Sequence, residues 1–277
     1  MNFGLPIANF GFTYSDDSLD PRLPAVRALY HPIFFIIAAA AISASAQMVT
    51  LPGGSFTMGG RGGEKDEQPQ HTVTVTAFSI DKYETSYAQY DSCVQKGVCT
   101  PPHFSDGKCL MWTSHGLRRV TVPPAYRIRE NPVVCVSWHQ ARAYCRYKGK
   151  RLPTEAQWEY AALAGGRKKY SWGSNRPDPS KCTHPQNRKP KKSGSFASNS
   201  RALYDMTGNV WEWTADRYEH NYYSYSEQDN PKGPSVGRYR TIRGGGWYST
   251  EQQLRIKNRQ WFVPEYGEVS IGIRCVK

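Results

Sequence analysis

The chain has 277 residues and carries 36 Lys and Arg against 23 Asp and Glu, a formal net charge of +13. A basic surplus of this size suits nucleic acid, anionic glycans or a membrane surface. The cations are scattered, with local clusters at 148–151, 167–169 and 188–192 and no nucleic-acid-binding motif beside them, which argues against nucleic acid.

Residues 1–46 read as a segment apart. The run IFFIIAAAAI (33–42) follows Arg27 and His31 and precedes Ala44-Ser45-Ala46, the small-residue pattern that signal peptidase cleaves. It is too short to span a membrane, which needs about 20 apolar residues. The expectation is an N-terminal extension and signal peptide over 1–46, cleavage near Ala46, export to the periplasm or beyond, and no transmembrane segment in the mature chain of 47–277. The residues ahead of the run lack apolar periodicity, which places the true start near Val26. What remains is long enough for one domain with a sizeable core.

Seven cysteines (Cys93, Cys99, Cys109, Cys135, Cys145, Cys182 and Cys275) all lie beyond the signal. In an exported chain such cysteines form disulfides, and an odd number leaves at least one unpaired or bonded to another chain. No CxxC occurs, which argues against a zinc ribbon or a thioredoxin-like site.

Along the mature chain, TVTVTAFSI (72–80) alternates β-branched residues and predicts a strand. Residues 87–96 predict a helix stopped by Gly97. SWHQARAYCRYKG (137–149) and PTEAQWEYAALAGG (153–166) each set Ser or Thr three residues before Gln, the capping-box spacing, so both predict short, well-started helices ended by glycine. Residues 171–202 read as a long irregular loop. The rest is aromatic and short-stranded, with a closing strand expected over 269–276. Within it, RGGGWYSTEQQL (243–254) sets three glycines after a strand-like segment, the mark of a tight corner. These elements make an α+β domain whose irregular backbone calls for staples.

Taken together, LPGGSFTMG (51–59), VSWHQARAYCRYKGKRLPTEAQWEYAA (136–162), YSWG (170–173), LYDMTGNVWEWTADRY (203–218), RGGGW (243–247) and IGIRC (271–275) resemble the formylglycine-generating enzyme / sulfatase-modifying-factor family. The blocks stand in the family's order and cover nearly all of the mature chain. The resemblance implies a C-type-lectin-like variant with little regular secondary structure, a short antiparallel sheet and a few short helices. It also implies a disulfide between Cys145 and Cys275, which closes a loop of about 130 residues and restricts the unfolded chain by roughly 4 to 5 kcal/mol in the entropic account. Cys93 and Cys99 flank a helix end and a glycine turn, which suits a local bridge; the pairing of Cys109, Cys135 and Cys182 stays open. The family's structural calcium would fall on Asp205, Gly208, Val210 and Glu212, acidic and main-chain oxygens that suit a hard cation. The alternative is that Asp205 and Glu212 only cap turns.

Active members of the family keep two cysteines after the glycine turn, which bind copper(I) and oxidise a substrate cysteine; soft thiolates are the ligands that ion prefers. Laid on this sequence, those positions are Ser249 and Leu254, so no catalytic residue is assigned and copper is not expected. Around the turn stand Trp247, Tyr248, Gln252, Arg255, Lys257, Arg259, Trp261 and Tyr266, able to grip a protein or an anionic or glycan-like ligand. The alternative is that the two tryptophans are core and the cations solvated. The function expected is an exported non-oxidase member of the family acting as a ligand-binding or accessory module of the cell envelope. Two alternatives stand beside it. One is an oxidoreductase with an altered site, and the other a retroelement-diversified ligand-binding protein, whose gene would carry a near-repeat of the sequence for 243–275 beside a reverse transcriptase.

Overall fold

A computed structural model describes residues 47–183 and 189–277; the expected extension, signal and cleavage point lie outside the described residues. Three α-helices span Tyr87–Gln95 (α1), Trp138–Tyr147 (α2) and Glu155–Leu163 (α3). All three open on a complete capping box, Ser86 with Gln89, Ser137 with Gln140 and Thr154 with Gln157, each pair satisfying two backbone N–H groups that the first helical turn leaves without partners. The box at Ser86 was missed in the sequence. Helix α3 ends at Ala164 in the left-handed conformation, one residue before the glycine expected to stop it.

Strand β1 (Met48–Leu51) pairs antiparallel with β4 (Phe78–Asp81), and β2 (Gly54–Met58) with β3 (His71–Val75). The strand expected over 72–80 is thus two strands. Val73 and Val75 face the core from odd positions, whereas Phe78 and Ile80 face it from even ones. A single strand points alternate residues to one face, so only a break at Thr76-Ala77 lets both apolar pairs turn inward.

A third sheet sets β5 (Cys109–Thr113) between β6 (Gly116–Arg119) and the two-residue β10 (Gly267–Glu268). The fourth runs β11 (Ile271–Gly272), β7 (Trp211–Arg217), β8 (Arg240–Arg243), β9 (Gln260–Phe262). Its β7–β8 and β8–β9 pairings are antiparallel, while β11 joins β7, and β10 joins β5, in parallel. The closing strand therefore shrinks to β11 and isolated bridges from Val276 to Ile80 and Arg151. The architecture is the expected one of few helices, short sheets and much irregular backbone.

Helix α3 is buried along its whole length, with Trp158, Ala161 and Ala162 packed among Val73, Val75, Ile80, Met206 and Ile256. A second core gathers around α2, where Tyr144 and Cys145 meet Trp213, Ile242, Phe262 and Ile273. Cys145 is bonded to Cys275 across 130 residues, and Cys93 to Cys99 across 6. Cys109 pairs with Cys135, which leaves Cys182 as the free cysteine among the described residues, and it is buried. Non-reducing peptide mapping should recover these three linked pairs and a single free thiol at Cys182. Cys275→Ala should lower stability by roughly 2 to 5 kcal/mol in denaturant titration; an unchanged midpoint would show that the long bridge does not constrain the chain.

Candidate functional site

The glycine turn is fixed from below before it begins. β8 delivers Arg243 to the buried face of α3, opposite Glu212 of β7 in register. There Arg243 Nη1 donates to Glu155 Oε1 at 3.1 Å and Nη2 to Glu159 Oε2 at 2.5 Å. Arg259 adds a two-pronged contact to Glu155, Nε to Oε1 at 2.8 Å and Nη2 to Oε2 at 3.1 Å. Burial pushes the Glu155 carboxyl up, but Arg259 and Arg243 outweigh it and hold the group below the usual carboxylate range.

Beyond Arg243 the backbone passes where side chains would collide. Gly244 and Gly245 both take positive φ, and a Cβ on Gly245 would lie 2.8 Å from Leu254 Cδ2. A Cβ on Gly246 would meet Ser270 at 2.8 Å. The triplet is therefore needed for conformation at its first two positions and for close approach at its last two. Gly246 N–H then donates to Ser249 Oγ at 2.9 Å, and Ser249 N–H to Gly246 O at 3.0 Å, closing the turn on itself.

Two adjoining cavities open at this turn. The smaller, about 40 Å³, is lined by Trp112, Tyr248, Ser249, Glu268 and Ser270 among others. The larger, about 520 Å³, is lined by Asp66, Tyr218, His220, Thr250, Gln252, Asn258 and Arg259 among others. Gln253, Gln260 and Trp261 border both, so the two form one cleft. In the smaller cavity Tyr248 Oη donates to Glu268 Oε1, while the Ser270 N–H and hydroxyl donate to Oε2 at 2.6 and 2.7 Å. Burial raises the Glu268 carboxyl to about 7 against these bonds.

The expected ligand set divides. Tyr248, Gln252, Arg259 and Trp261 border the cleft, and Trp261 packs on Tyr239 with ring centroids 4.1 Å apart. Trp247 does not reach the cleft: it is 0 % exposed in a core with Val210 and Val269, and its Nε1–H donates to Val269 O. Tyr266 packs against the α2 core. The expected cationic grip is not assembled. Arg255 pairs with Glu67 through Nη1–Oε2 at 2.6 Å and Nη2–Oε1 at 2.5 Å, Lys257 Nζ donates to Gly59 O, and Arg259, 1 % exposed, is held by Glu155. A guanidinium taken out of water needs a carboxylate beside it, and once paired it has little charge left to offer.

Of the two positions where thiols would stand, Ser249 lines the smaller cavity. Leu254 is buried in an apolar cluster with Tyr170 and Cys182. Cys182, distant in sequence, is thus close to this turn in space; burial pushes its thiol up to about 12, which keeps it protonated.

Asp205, at φ 55, accepts from Gly194 N–H at 2.6 Å through Oδ2, while its buried Oδ1 has no protein partner. Glu212 accepts from Arg274 at both oxygens, with Nη2–Oε1 at 2.7 Å, and from Trp158 Nε1 at 2.7 Å. Glu84, unremarked in the sequence, joins them: its carboxylate accepts from Asn209, Ser193 and the Val210 N–H, and burial, then Asp205 and Glu212, push it well up. Among the described residues no three His, Cys, Asp or Glu are arranged to hold a metal by themselves.

Comparison with known proteins agrees with this architecture. The chain is 32% identical to the serine/threonine-protein kinase pkn1 of Chlamydia caviae, over 83% of this chain and 38% of that protein, so it spans well under half of that relative. It is also 32% identical to the inactive C-alpha-formylglycine-generating enzyme 2 of Bos taurus, over 82% of this chain and 87% of that protein. The solved structure of PvdO from Pseudomonas aeruginosa superposes with a TM-score of 0.68 at 27% identity, covering 83% of this chain and 93% of that one. The sulfatase-modifying factor enzyme 1-like domain matches residues 37–277. A glycine turn anchored on a buried helix, the cleft above it and this nearly chain-long match lead to one conclusion: the chain belongs to the formylglycine-generating enzyme / sulfatase-modifying-factor family.

Proposed function

We propose that this chain is an exported, non-oxidase member of its family that serves as a ligand-binding or accessory module of the cell envelope. The observation that carries this reading is at the turn itself: a serine lines the cavity and a buried leucine fills the second position, so no pair of thiolates is available for copper(I). The bovine relative named inactive supports it. Three disulfides accord with export. The cleft offers amides, a hydroxyl and the Trp261 ring, groups suited to a glycan, since sugar faces stack on aromatic rings while their hydroxyls exchange hydrogen bonds with amides.

A second reading, an enzyme with altered chemistry, is favoured by Glu268. Raised to about 7 by burial and bordering the cleft, it has the acidity of a proton-transfer group at neutral pH. Two assays test the non-oxidase and ligand-binding parts of the first reading. With a sulfatase-motif peptide, oxygen and added copper(I), the purified protein should form no aldehyde detectable by mass, and a glycan array should show binding that Trp261→Ala abolishes. Aldehyde formation that disappears in Cys182→Ser would overturn the binding reading and make this an oxidase built on one thiol.

Calcium belongs to the proposal as well. Asp205 carries a buried oxygen without a partner, and Glu84, Asp205 and Glu212 bring three carboxyls to one guanidinium, that of Arg274, a charge imbalance that a cation would relieve. Asp205, with the main-chain carbonyls of Gly208 and Val210, would hold the ion; Glu212, already engaged by Arg274 and Trp158, would complete the ring of charge. The ion would supply structural charge compensation. A ligand bound only by the native state at a hundredfold its dissociation constant adds about 2.7 kcal/mol, so calcium should raise the melting temperature of chelator-treated protein and Asp205→Asn should weaken that response. No shift in protein shown to be metal-free would remove the site.

A further inference from the structure

The cations expected at the glycine turn are buried in ion pairs, yet the chain carries a large positive excess, and part of it collects elsewhere. A cavity of about 630 Å³ forms an open groove beside α2 that shares no lining residue with the glycine-turn cleft. Arg142 and Arg146 line it from successive turns of α2, joined by Arg151 and Lys232, and all four side chains are exposed. No aspartate or glutamate lines it. Among the described residues none of the four cations forms an ion pair. Asp216, whose charge acts on Arg151, is buried and pushed up by desolvation to about 8, so at neutral pH it offsets little of the Arg151 charge.

The groove's other chemistry narrows the ligand. Arg151 is held in place by Nη1 donating to Gln157 Oε1 at 2.8 Å. The one aromatic ring in the lining, Trp138, is already covered, by Arg240 at 3.7 Å and Arg142 at 5.5 Å from the ring centroid, so it offers no open face for stacking. Thr76 and Asn230, hydrogen-bonded to each other, supply neutral polar groups at the rim. Guanidinium forks match the oxygens of phosphate and sulfate esters. Four cations spread over a groove of this size suit several anionic groups on one chain better than a single compact anion.

We infer that this groove beside α2 binds a glycan bearing sulfate or phosphate esters, at a site separate from the glycine-turn cleft. Because the two share no lining residue, it stands whatever that cleft holds. The test is titration calorimetry of the exported protein with three probes: a heparin oligosaccharide, a phosphorylated mannan oligosaccharide, and poly-glutamate of matched charge. One or both ester glycans should bind, with affinity that falls as salt rises, and whichever binds identifies the ester. The double substitution R146E/K232E removes two cations that have no ion-pair partner, and it should weaken glycan binding by about tenfold or more. The charge-matched pair R118E/R119E, on the exposed end of β6, should change it by less than about twofold. Melting temperatures of both variants verify folding. Equal weakening by the two pairs would reduce the effect to net charge and overturn the site. Poly-glutamate binding as tightly as the esters would make the ligand an acidic polypeptide and overturn the assignment, as would no binding of either glycan.

Discussion

Two glutamates on one wholly buried helix set the terms for the rest of this molecule. Glu155 and Glu159 of α3 sit 1 % and 0 % exposed, where an ionised carboxylate is tenable only with a cation against it. Arg243 and Arg259 provide it, and each arrives from a different segment. Glu159 reaches a third through Gly59 N–H, which donates to Oε1 at 3.0 Å. Buried pairs of this kind add little net stability over apolar packing, but removing one partner costs about 3 to 5 kcal/mol, because the other charge is left stranded. The arrangement thus acts as a register lock. The end of β2, the start of the glycine turn and the Arg259 segment can adopt one relative placement and not its neighbours.

That lock explains how the pocket architecture persists without the oxidative chemistry. The glycine triplet is held by Arg243 below and by the Gly246–Ser249 hydrogen bonds, with Trp158, Leu254 and Ser270 crowding it so closely that a side chain would collide, and none of this requires a thiol. The same lock sorts the chain's positive charge into two populations. Arg243, Arg255, Arg259 and Arg274 are buried structural cations, matched to glutamates. Those that line the α2 groove face solvent and remain available to a ligand. Net charge alone, the same number for both populations, does not distinguish them.

Much of the framework was legible because its signals are local. Ser137 with Gln140, and Thr154 with Gln157, announce helix starts through spacing alone, and the ordered family blocks carried the fold and the Cys145–Cys275 bridge. The failures share a cause. Whether Arg255 faces a ligand or Glu67, 188 positions away, depends on tertiary pairing that no window of sequence contains. The same holds for the Cys109–Cys135 bridge and for Glu84 beside Asn209, whereas the break at Thr76-Ala77 was readable in the change of apolar parity. Glu268 had a weaker signal, an acid immediately before the closing strand expected over 269–276.

Whether the α3 charge pairs hold the glycine turn is read most directly by hydrogen exchange on Glu159→Gln, which removes the charge and keeps the shape. Faster amide exchange should be confined to residues 59–60 and 243–249, with β5 and β6 as protected as before. Unchanged exchange at the turn, or an increase spread evenly over the whole chain, would show that the pairs do not hold it.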